Sequence, residues 1–388
     1  METWKRTVYI CAFCVFFMSL GISQVSPILP LYFHEMGLSD TGSIARWSGA
    51  SMGITFLIVC LAAPFWGRLA DRKGRKITLI RSSLGMAICS ILLGFQTTPE
   101  GVFLVRTLQG LVSGFYSASV TLIASETPQN HTGWALGILA SFNLAGPLVG
   151  GYLSDVVGIR NDFFIIGAFM LISFGLTTML VHENYVPKPL VEKQTFRNLK
   201  THLPEFSSLV ALSAASFLYA ISVTAISPIM TVYIKGMLPS NTENIAFISG
   251  AVFSAMGIAQ FFSSSPLGKL VDRIGPRKVL IYSMIYVGLL NIPQAYVDSV
   301  YVLGCIRFLQ GFGLGGMLPA LNTYLASKTP KEYTGQVFSY NQSCLFMGYF
   351  LGSFGGSVVA AQFGFTTLFW ACSLTFIGAA LWVASKLK

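Results

Sequence analysis

The sequence contains few charged residues for its length. Of its 388 residues, 10% are charged, whereas ordinary soluble domains average about 25%. Hydrophobic residues make up 53% of the chain. Because charged side chains cover much of a soluble protein's surface, this composition excludes an ordinary soluble domain and indicates a chain that lies in lipid.

Residues that hold metals or carry out catalysis are also scarce. The four histidines are scattered, and the seven cysteines lie in apolar stretches without zinc-finger spacing, so we interpret the cysteines as small packing residues. The sequence has no Gly-Lys-Ser/Thr loop for phosphate binding and no pair of acids at membrane depth. We therefore expect no membrane enzyme, no metal site and no cofactor. A receptor is also disfavoured, because no extramembrane stretch is long enough for a signalling domain.

Long apolar runs of about twenty residues recur along the whole chain. Each is long enough to cross a ~30 Å hydrocarbon core as a helix, which satisfies its own backbone hydrogen bonds. The first run is too long for a signal peptide and lacks a small-residue cleavage site. We predict an all-α membrane protein with twelve transmembrane spans: 7–33, 47–67, 77–97, 100–125, 133–155, 161–182, 206–234, 245–267, 279–297, 300–325, 336–360 and 364–385.

Lysine and arginine are distributed unevenly between the two sides of these spans. Most lie at the termini, in the central loop and in the even-numbered loops, and the opposite side carries only Arg46, Arg160 and Lys235. Positive loops stay in the cytoplasm, so both termini and the central loop are predicted to be cytoplasmic. The net charge of +10 is then a signal of topology, and we expect no nucleic-acid partner.

The two halves of the chain repeat each other at a constant offset of 201 residues. The polar stretch 182–205 separates a predicted six-helix bundle, 1–181, from a second one, 206–388. A parallel repeat of six spans places a substrate site between the halves, near the middle of the membrane. The matching pairs include Ser26 and Ser227, Pro27 and Pro228, Tyr32 and Tyr233, Asp71 and Asp272, Arg106 and Arg307, and Gly110 and Gly311.

Four motifs carry a resemblance to a known family. The basic stretch Gly67 to Lys76 and its counterpart Gly268 to Lys278 resemble motif A of the major facilitator superfamily, and Arg106-Thr-Leu-Gln-Gly110 resembles motif B. Leu20-Gly21 with Pro27-Ile-Leu-Pro30 resembles motif D of the twelve-helix drug:proton antiporters, and Gly146-Pro147-Leu-Val-Gly150-Gly151 resembles their motif C. Phe142 stands where motif C usually carries a glycine.

This resemblance covers nearly the whole chain and implies a major facilitator fold of two pseudo-symmetric six-helix bundles. It also implies a multi-pass protein of a bacterial inner membrane that is functional as a monomer. Motifs C and D together point to the exporter branch, in which the halves rock so that a cavity opens to one side at a time. The implied partners are a small-molecule substrate, a proton and the lipid bilayer.

Two sets of residues are predicted to support the movement of the halves. An aspartate can accept hydrogen bonds from a helix N-terminus or pair with an arginine, so the basic motifs are candidate gating latches, although a plain positive-inside loop would look similar. The latch residues are Gly67, Asp71, Arg72, Arg75, Gly268, Asp272, Arg273 and Arg277. Glycine allows close helix contact and proline a kink, which gives the packing residues Pro27, Pro30, Gly146, Pro147, Gly150 and Gly151, with a similar groove at Gly348, Gly352 and Gly356.

Ionisable groups within the predicted spans are few, and all acids fall at span ends or in loops. Arg106 and Arg307 do lie within spans; each is either satisfied by neighbouring carbonyls or, for Arg106, used in coupling or in attracting an anion. The resemblance implies that the first, fourth, seventh and tenth spans line the cavity. The predicted cavity residues are Gln24, Arg106, Tyr116, Tyr219, Asn322, Asn341 and Gln342, and interhelical hydrogen bonding is the alternative for each.

The combined prediction is a secondary active transporter that exports small amphipathic compounds by alternating access, with proton antiport as the energy source. An alternative is a dedicated exporter of one anionic or zwitterionic metabolite such as a siderophore, which the membrane arginines and the absent acids favour. An uptake symporter is third, because motif C argues for export.

Overall fold

The fold is helical throughout the part of the chain that the structure describes. The computed structural model describes residues 3–23, 25–128, 131–183, 206–239, 242, 244–329 and 334–386. The helices are α1 Thr3–Ser23, α2 Val25–Glu35, α3 Thr41–Lys73, α4 Arg75–Gly94, α5 Pro99–Val112, α6 Phe115–Glu126, α7 Thr132–Val157, α8 Ile159–Leu180, α9 Phe206–Ala225, α10 Met230–Met237, α11 Ile245–Ile274, α12 Pro276–Gln294, α13 Val300–Ser327 and α14 Thr334–Lys386, with a 3₁₀ turn at Ser227–Ile229.

All twelve predicted spans fall on these helices. The fourth span is divided into α5 and α6, and the seventh runs through α9, the 3₁₀ turn and α10. The last two spans share α14, whose direction changes at Gly364, a residue with φ of 82°. Among the described residues, eight helical stretches are long and apolar enough to cross a membrane, and Val337–Lys386 has length for two crossings. The predicted all-α membrane fold is therefore confirmed.

The turns after the second and eighth spans differ from the prediction in one respect. The predicted second and eighth spans end at residues 67 and 267, but α3 continues to Lys73 and α11 to Ile274, so Gly67 and Gly268 lie inside helices. The turns occur instead at Gly74 and Gly275, which share a φ of 90° that only glycine adopts without strain. The latch residues before these glycines are thus part of the last turns of long helices.

Two compact units are formed by the chain. The first unit contains Met1–Ser39, Ile54–Leu190 and Asn241–Ala251, and the second contains Asp40–Gly53, Val191–Ser240 and Val252–Lys388. Each has its own apolar core, built around Leu79 and Leu122 in the first and around Leu280 and Met317 in the second. The predicted boundaries 1–181, 182–205 and 206–388 remain a prediction.

The sequence repeat corresponds to equivalent contacts inside the two units. The Tyr32 hydroxyl donates to the Leu93 carbonyl over 2.7 Å, and the Tyr233 hydroxyl donates to the Gln294 carbonyl over 2.6 Å. Both the tyrosines and their acceptors are related by the offset of 201. In each unit this bond joins the end of the first span of a half to the end of its third span.

Glycines of the Arg-x-x-Gln-Gly motif also have equivalent neighbours. A Cβ on Gly110 would meet the Thr55 carbonyl oxygen, and a Cβ on Gly311 would meet the Met256 carbonyl oxygen. Thr55 and Met256 are again 201 residues apart. The motif glycines therefore allow the fourth and tenth spans to press against the backbones of the second and eighth.

The cysteines fit the packing interpretation in part. Cys11, Cys14, Cys89 and Cys372 are buried, as expected for small apolar side chains. Cys305 is exposed on α13, so the interpretation is wrong for that residue, which faces outward from a span.

Candidate functional site

The fourth span carries a buried arginine next to a glutamine on the same helix face. Arg106 is 5% exposed, and its Nη1 donates to Oε1 of Gln109 over 2.6 Å. A spacing of three residues places the two side chains on one face of α5. Thr55 of the second span donates its hydroxyl to the Arg106 carbonyl over 3.0 Å, which fixes this part of α5 against α3.

The equivalent arginine of the tenth span has different surroundings. Arg307 is also 5% exposed, and its Nη1 lies 3.6 Å from the sulfur of Met256. Its Nε and Nη2 have no hydrogen-bond partner among the described residues. The side chain borders a cavity of about 10 Å³, the space of about one water molecule, together with Ser222 and Gln310. Arg307 is therefore a buried cation with free donors.

The glutamine of the second motif is engaged elsewhere. Gln310 donates to Oδ1 of Asn291 over 3.0 Å and accepts from Nε2 of Gln294 over 3.4 Å. These partners lie on α12, where the equivalent residues of the first half are Ser90 and Leu93. The polar residues of the ninth span thus bind Gln310, and none of its bonds goes to Arg307.

A break in the fourth span was not predicted. Gly114 has a φ of 120°, and α5 ends at Val112 before α6 begins at Phe115. Two carbonyls at the break accept side-chain hydrogen bonds: the Trp66 indole donates to Leu111 over 2.7 Å, and Arg81 Nη2 donates to Ser113 over 2.8 Å. The Arg81 guanidinium also lies 3.6 Å from the centre of the Trp66 ring, a cation–π contact.

The remaining predicted cavity residues lie at different depths. Tyr219 and Asn341 are buried, and Oδ1 of Asn341 has no partner among the described residues. Tyr116, the second residue of α6, is 42% exposed, and Asn322 and Gln342 are exposed as well. Gln24 lies outside the described residues. The assignment of these residues to one substrate cavity stays a prediction.

The carboxylate at the start of the third span is Glu183. Its two oxygens accept the backbone N–H groups of Arg75 and Lys76 over 2.8 and 2.7 Å, at the N-terminus of α4, where the helix dipole favours a negative charge. The motif had indicated Asp71 for such a contact, and the side chain of Asp71 lies outside the described residues. Glu183 was missed because it follows the sixth span, far from the motif along the chain.

In the second unit a hydrogen bond joins the equivalent positions, but the side chain lies at the start of the ninth span and the backbone group at the end of the twelfth. Arg277 Nη2 donates to the Ala384 carbonyl over 2.7 Å. Position 277 corresponds to 76, and position 384 corresponds to 183. A side chain at the end of the sixth span binds backbone in the first unit, whereas backbone at the end of the twelfth span is bound by a side chain in the second. Of the other latch side chains that the structure describes, Arg72, Asp272 and Arg273 are exposed and Arg75 is half-buried.

A second carboxylate caps a helix within the first unit. Asp155, at the end of α7, accepts the backbone N–H groups of Ala246 and Phe247 over 3.3 and 2.5 Å. Residues 246 and 247 form the first turn of α11, so this is again an acid at a helix N-terminus. Asp162 is fully buried in the first turn of α8. Sequence analysis placed both acids at span ends, where they lie, but missed the contact and the burial.

Comparison with known proteins decides the family. The family model described as Major Facilitator Superfamily matches residues 11–237 and 212–387. The chain belongs to the Major Facilitator Superfamily. Similar curated relatives include the multidrug resistance protein MdtG of Proteus mirabilis, 39% identical over 95% of this chain and 92% of that protein, and MdtG of a Rahnella species, 40% identical over 96% and 91%.

Solved structures have the same fold at low sequence identity. A nucleoside transporter, NupG, has a TM-score of 0.81 at 14% identity over the full length of both chains. A bacterial homologue of the human lysosomal transporter Spinster, in an inward-facing and occupied conformation, has a TM-score of 0.78 at 14% identity and covers 100% of this chain and 97% of that one.

The packing motifs of this superfamily member are described in part. Pro27 and Pro30 are buried in α2. The structure describes α7 as one helix through the motif C positions, but it does not describe the packing around Gly146, Pro147, Gly150 and Gly151.

The glycine groove of the eleventh span packs inside one unit. A Cβ on Gly348 would meet the Phe217 carbonyl oxygen, 2.6 Å away, and Gly352 and Gly356 face Ile221 and Ala225. These neighbours are all on α9 of the second unit, so the close helix contact that the glycines permit is between the eleventh and seventh spans.

Proposed function

We propose that this chain is a secondary active multidrug exporter of a bacterial inner membrane that works by alternating access. The observation that carries the proposal is the similarity to MdtG multidrug resistance proteins, which extends over 92% of the length of one relative at 39% identity. Similarity over the full length supports a shared activity better than the fold does, because the same fold serves many substrates.

Energy for export would come from proton antiport, with Arg106 in the coupling network. Its burial and its hydrogen bond to Gln109 support this role, since a guanidinium inside a span is costly unless it is paired or used. The cavity would be formed by Gln24, Arg106, Tyr116, Tyr219, Asn322, Asn341 and Gln342. The basic motif residues, Arg277 among them, would form the cytoplasmic latches together with Glu183.

A transport assay tests this function. Everted membrane vesicles containing the chain should accumulate cationic and neutral amphipathic drugs when a proton gradient is imposed, and a proton ionophore should stop the accumulation. Vesicles without the protein are the control. Drug accumulation that does not depend on the proton gradient would contradict proton antiport. If no drug accumulates, multidrug export is contradicted.

The buried Arg307 favours a second candidate, export of an anionic or zwitterionic metabolite. Its Nε and Nη2 are free donors among the described residues, and a guanidinium fork matches a carboxylate or phosphate. The same vesicles separate the candidates. If anionic compounds such as a carboxylate siderophore accumulate and cationic drugs do not, the dedicated exporter replaces the multidrug exporter.

Orientation is proposed from the distribution of basic residues, with both termini and the central loop in the cytoplasm. A cysteine introduced at Lys193 should resist an impermeant thiol reagent in intact cells, and one at Asp40 should react. Labelling is measured by mass shift in a background where the exposed Cys305 is replaced by serine. The reverse pattern would contradict the orientation.

A further inference from the structure

An apolar groove runs along the second unit between α11, α12 and α13. Its volume is about 430 Å³, within the ~300–1,000 Å³ typical of ligand sites. Along α11 it extends from Phe262 to Ile274, which is about 18 Å of helix. One leaflet of a ~30 Å hydrocarbon core is about 15 Å thick, so the groove matches the length of one leaflet.

The corresponding place in the first unit is occupied by a stacked pair of side chains. Trp66 and Arg81 stack there and bind the carbonyls of the broken fourth span. Their counterparts in the second unit are Leu267 and Tyr282, which both line the groove. Leucine and tyrosine cannot form that stack, and α13 continues without the break, so the space stays open.

The chemistry of the groove changes from one end to the other. Its interior is lined mainly by apolar side chains, and the hydroxyl of Ser263 within it donates to the Gln260 and Gly311 carbonyls. At one end the lining residues Leu270, Ile274 and Val279 each follow an exposed basic residue directly along the chain: Lys269 and Arg273 on α11 and Lys278 on α12. Asp272 is the acid among them. A long apolar slot with a cationic end is complementary to an acyl chain that carries an anionic headgroup.

We propose that this groove binds one anionic phospholipid, with an acyl chain between α11, α12 and α13 and its phosphate beside Lys269, Arg273 and Lys278. Arginine and lysine bind phosphate through charge-assisted hydrogen bonds, and basic clusters at a membrane surface attract anionic lipids. Exposed Tyr282 lies in the groove wall, four residues after Lys278 on α12, and tyrosines are enriched at membrane–water interfaces. With the orientation proposed above, the lipid comes from the cytoplasmic leaflet.

A transported drug fits this groove less well than a lipid. Specific sites for small molecules combine apolar walls with a few polar groups that orient the ligand. Here the Ser263 hydroxyl already donates to backbone, and the Tyr286 hydroxyl donates to the Leu309 carbonyl over 3.1 Å. The basic residues lie at the end of the groove, where a lipid headgroup would lie.

Native mass spectrometry of the purified protein tests the proposal. The protein is exchanged into detergent that contains equal amounts of dioleoylphosphatidylglycerol and dioleoylphosphatidylcholine, and the retained lipid is identified. We expect the wild type to retain one phosphatidylglycerol. Leu267→Trp, which introduces the residue of the first unit, should lose it because the indole fills the groove, whereas Leu267→Ala should retain it.

Headgroup recognition is tested with a double variant, Lys269→Gln with Arg273→Gln. We expect the preference for phosphatidylglycerol over phosphatidylcholine to fall about tenfold or more, because each basic residue near the surface favours an anionic lipid. The matched control is Arg72→Gln with Lys73→Gln, which removes the same charge from the end of α3 and should leave the preference unchanged.

Three outcomes would overturn the proposal. They are equal retention of both lipids by the wild type, undiminished retention by Leu267→Trp, and an equal loss of preference in the control pair. If Leu267→Trp does not fold, as judged by its melting temperature, Ile274→Trp blocks the end of the groove and replaces it. The measurement involves no transport, so a failure of multidrug export would leave its result intact.

Discussion

The fourth and tenth spans contain the same Arg-x-x-Gln-Gly sequence in different surroundings. Arg106 donates to Gln109 on its own helix, whereas Gln310 is bound by Asn291 and Gln294 of the neighbouring helix. The positions equivalent to Asn291 and Gln294 are Ser90 and Leu93, which cannot compete for the glutamine in the same way. The hydrogen-bond partners of the motif glutamine thus depend on the residues that the neighbouring helix presents.

The second and third spans differ from the eighth and ninth in a similar way. In the first unit Trp66 and Arg81 bind the carbonyls of a broken helix, and in the second the equivalent residues line an open groove. Gly85 faces Val112, and in the second unit the order of sizes is reversed, with Tyr286 facing Gly313. Packing is close in both units, but different side chains provide it.

The largest effect is expected at the motif arginines. Arg106→Lys should reduce transport about tenfold or more, because lysine keeps the charge but loses the planar fork and a charge-assisted hydrogen bond worth roughly 1.5–3 kcal/mol. Arg307→Lys should keep most of the activity, since Nε and Nη2 of Arg307 have no described partner to lose. Drug accumulation in everted vesicles gives the two rates.

Both variants are compared at matched melting temperature and expression. Equal transport rates of well-folded Arg106→Lys and Arg307→Lys would contradict different roles for the two arginines. If both variants are also active, Arg106 does not belong to the coupling network.

A stability difference is expected at the broken fourth span. Arg81→Ala removes hydrogen bonds to two carbonyls and the contact with Trp66, which together should cost about 2–4 kcal/mol. Tyr282→Ala, at the equivalent exposed position, should cost less than about 1 kcal/mol. Thermal unfolding in one detergent provides the comparison. A larger loss for Tyr282→Ala would show that the break does not depend on Arg81.

The smallest effect is expected at the contacts that Glu183 and Arg277 make. Glu183→Ala leaves two N–H groups at the start of α4 without their carboxylate, a loss of about 0.5–2 kcal/mol. Arg277→Ala removes one hydrogen bond to the Ala384 carbonyl, about 1 kcal/mol. Glu183→Gln separates hydrogen bonding from charge, because glutamine keeps an acceptor oxygen but has no charge. If Glu183→Gln has the melting temperature of the wild type, the charge of Glu183 contributes little to its contact with the N-terminus of α4.

The repeat in the sequence identified equivalent positions of the two halves, whereas the substrate cavity stays a prediction. The pairs Tyr32 and Tyr233, Gly110 and Gly311, and Arg106 and Arg307 are repeated in the sequence and have equivalent places in the structure. Glu183 and Arg81 were not singled out, since their partners lie about 107 and 32 residues away along the chain. No local pattern reports a contact between residues at such separations.

Composition, span length and the repeat were sufficient for the helical membrane fold, because lipid leaves the backbone few ways to satisfy its hydrogen bonds and apolar length is read directly along the chain. The tertiary structure alone decided where the fourth span breaks, which acid binds the start of α4 and where the groove opens. Those features depend on which side chains from different helices meet. Equivalent positions such as Arg81 and Tyr282 therefore differ in outcome: Arg81 stacks on Trp66, and Tyr282 lines the groove.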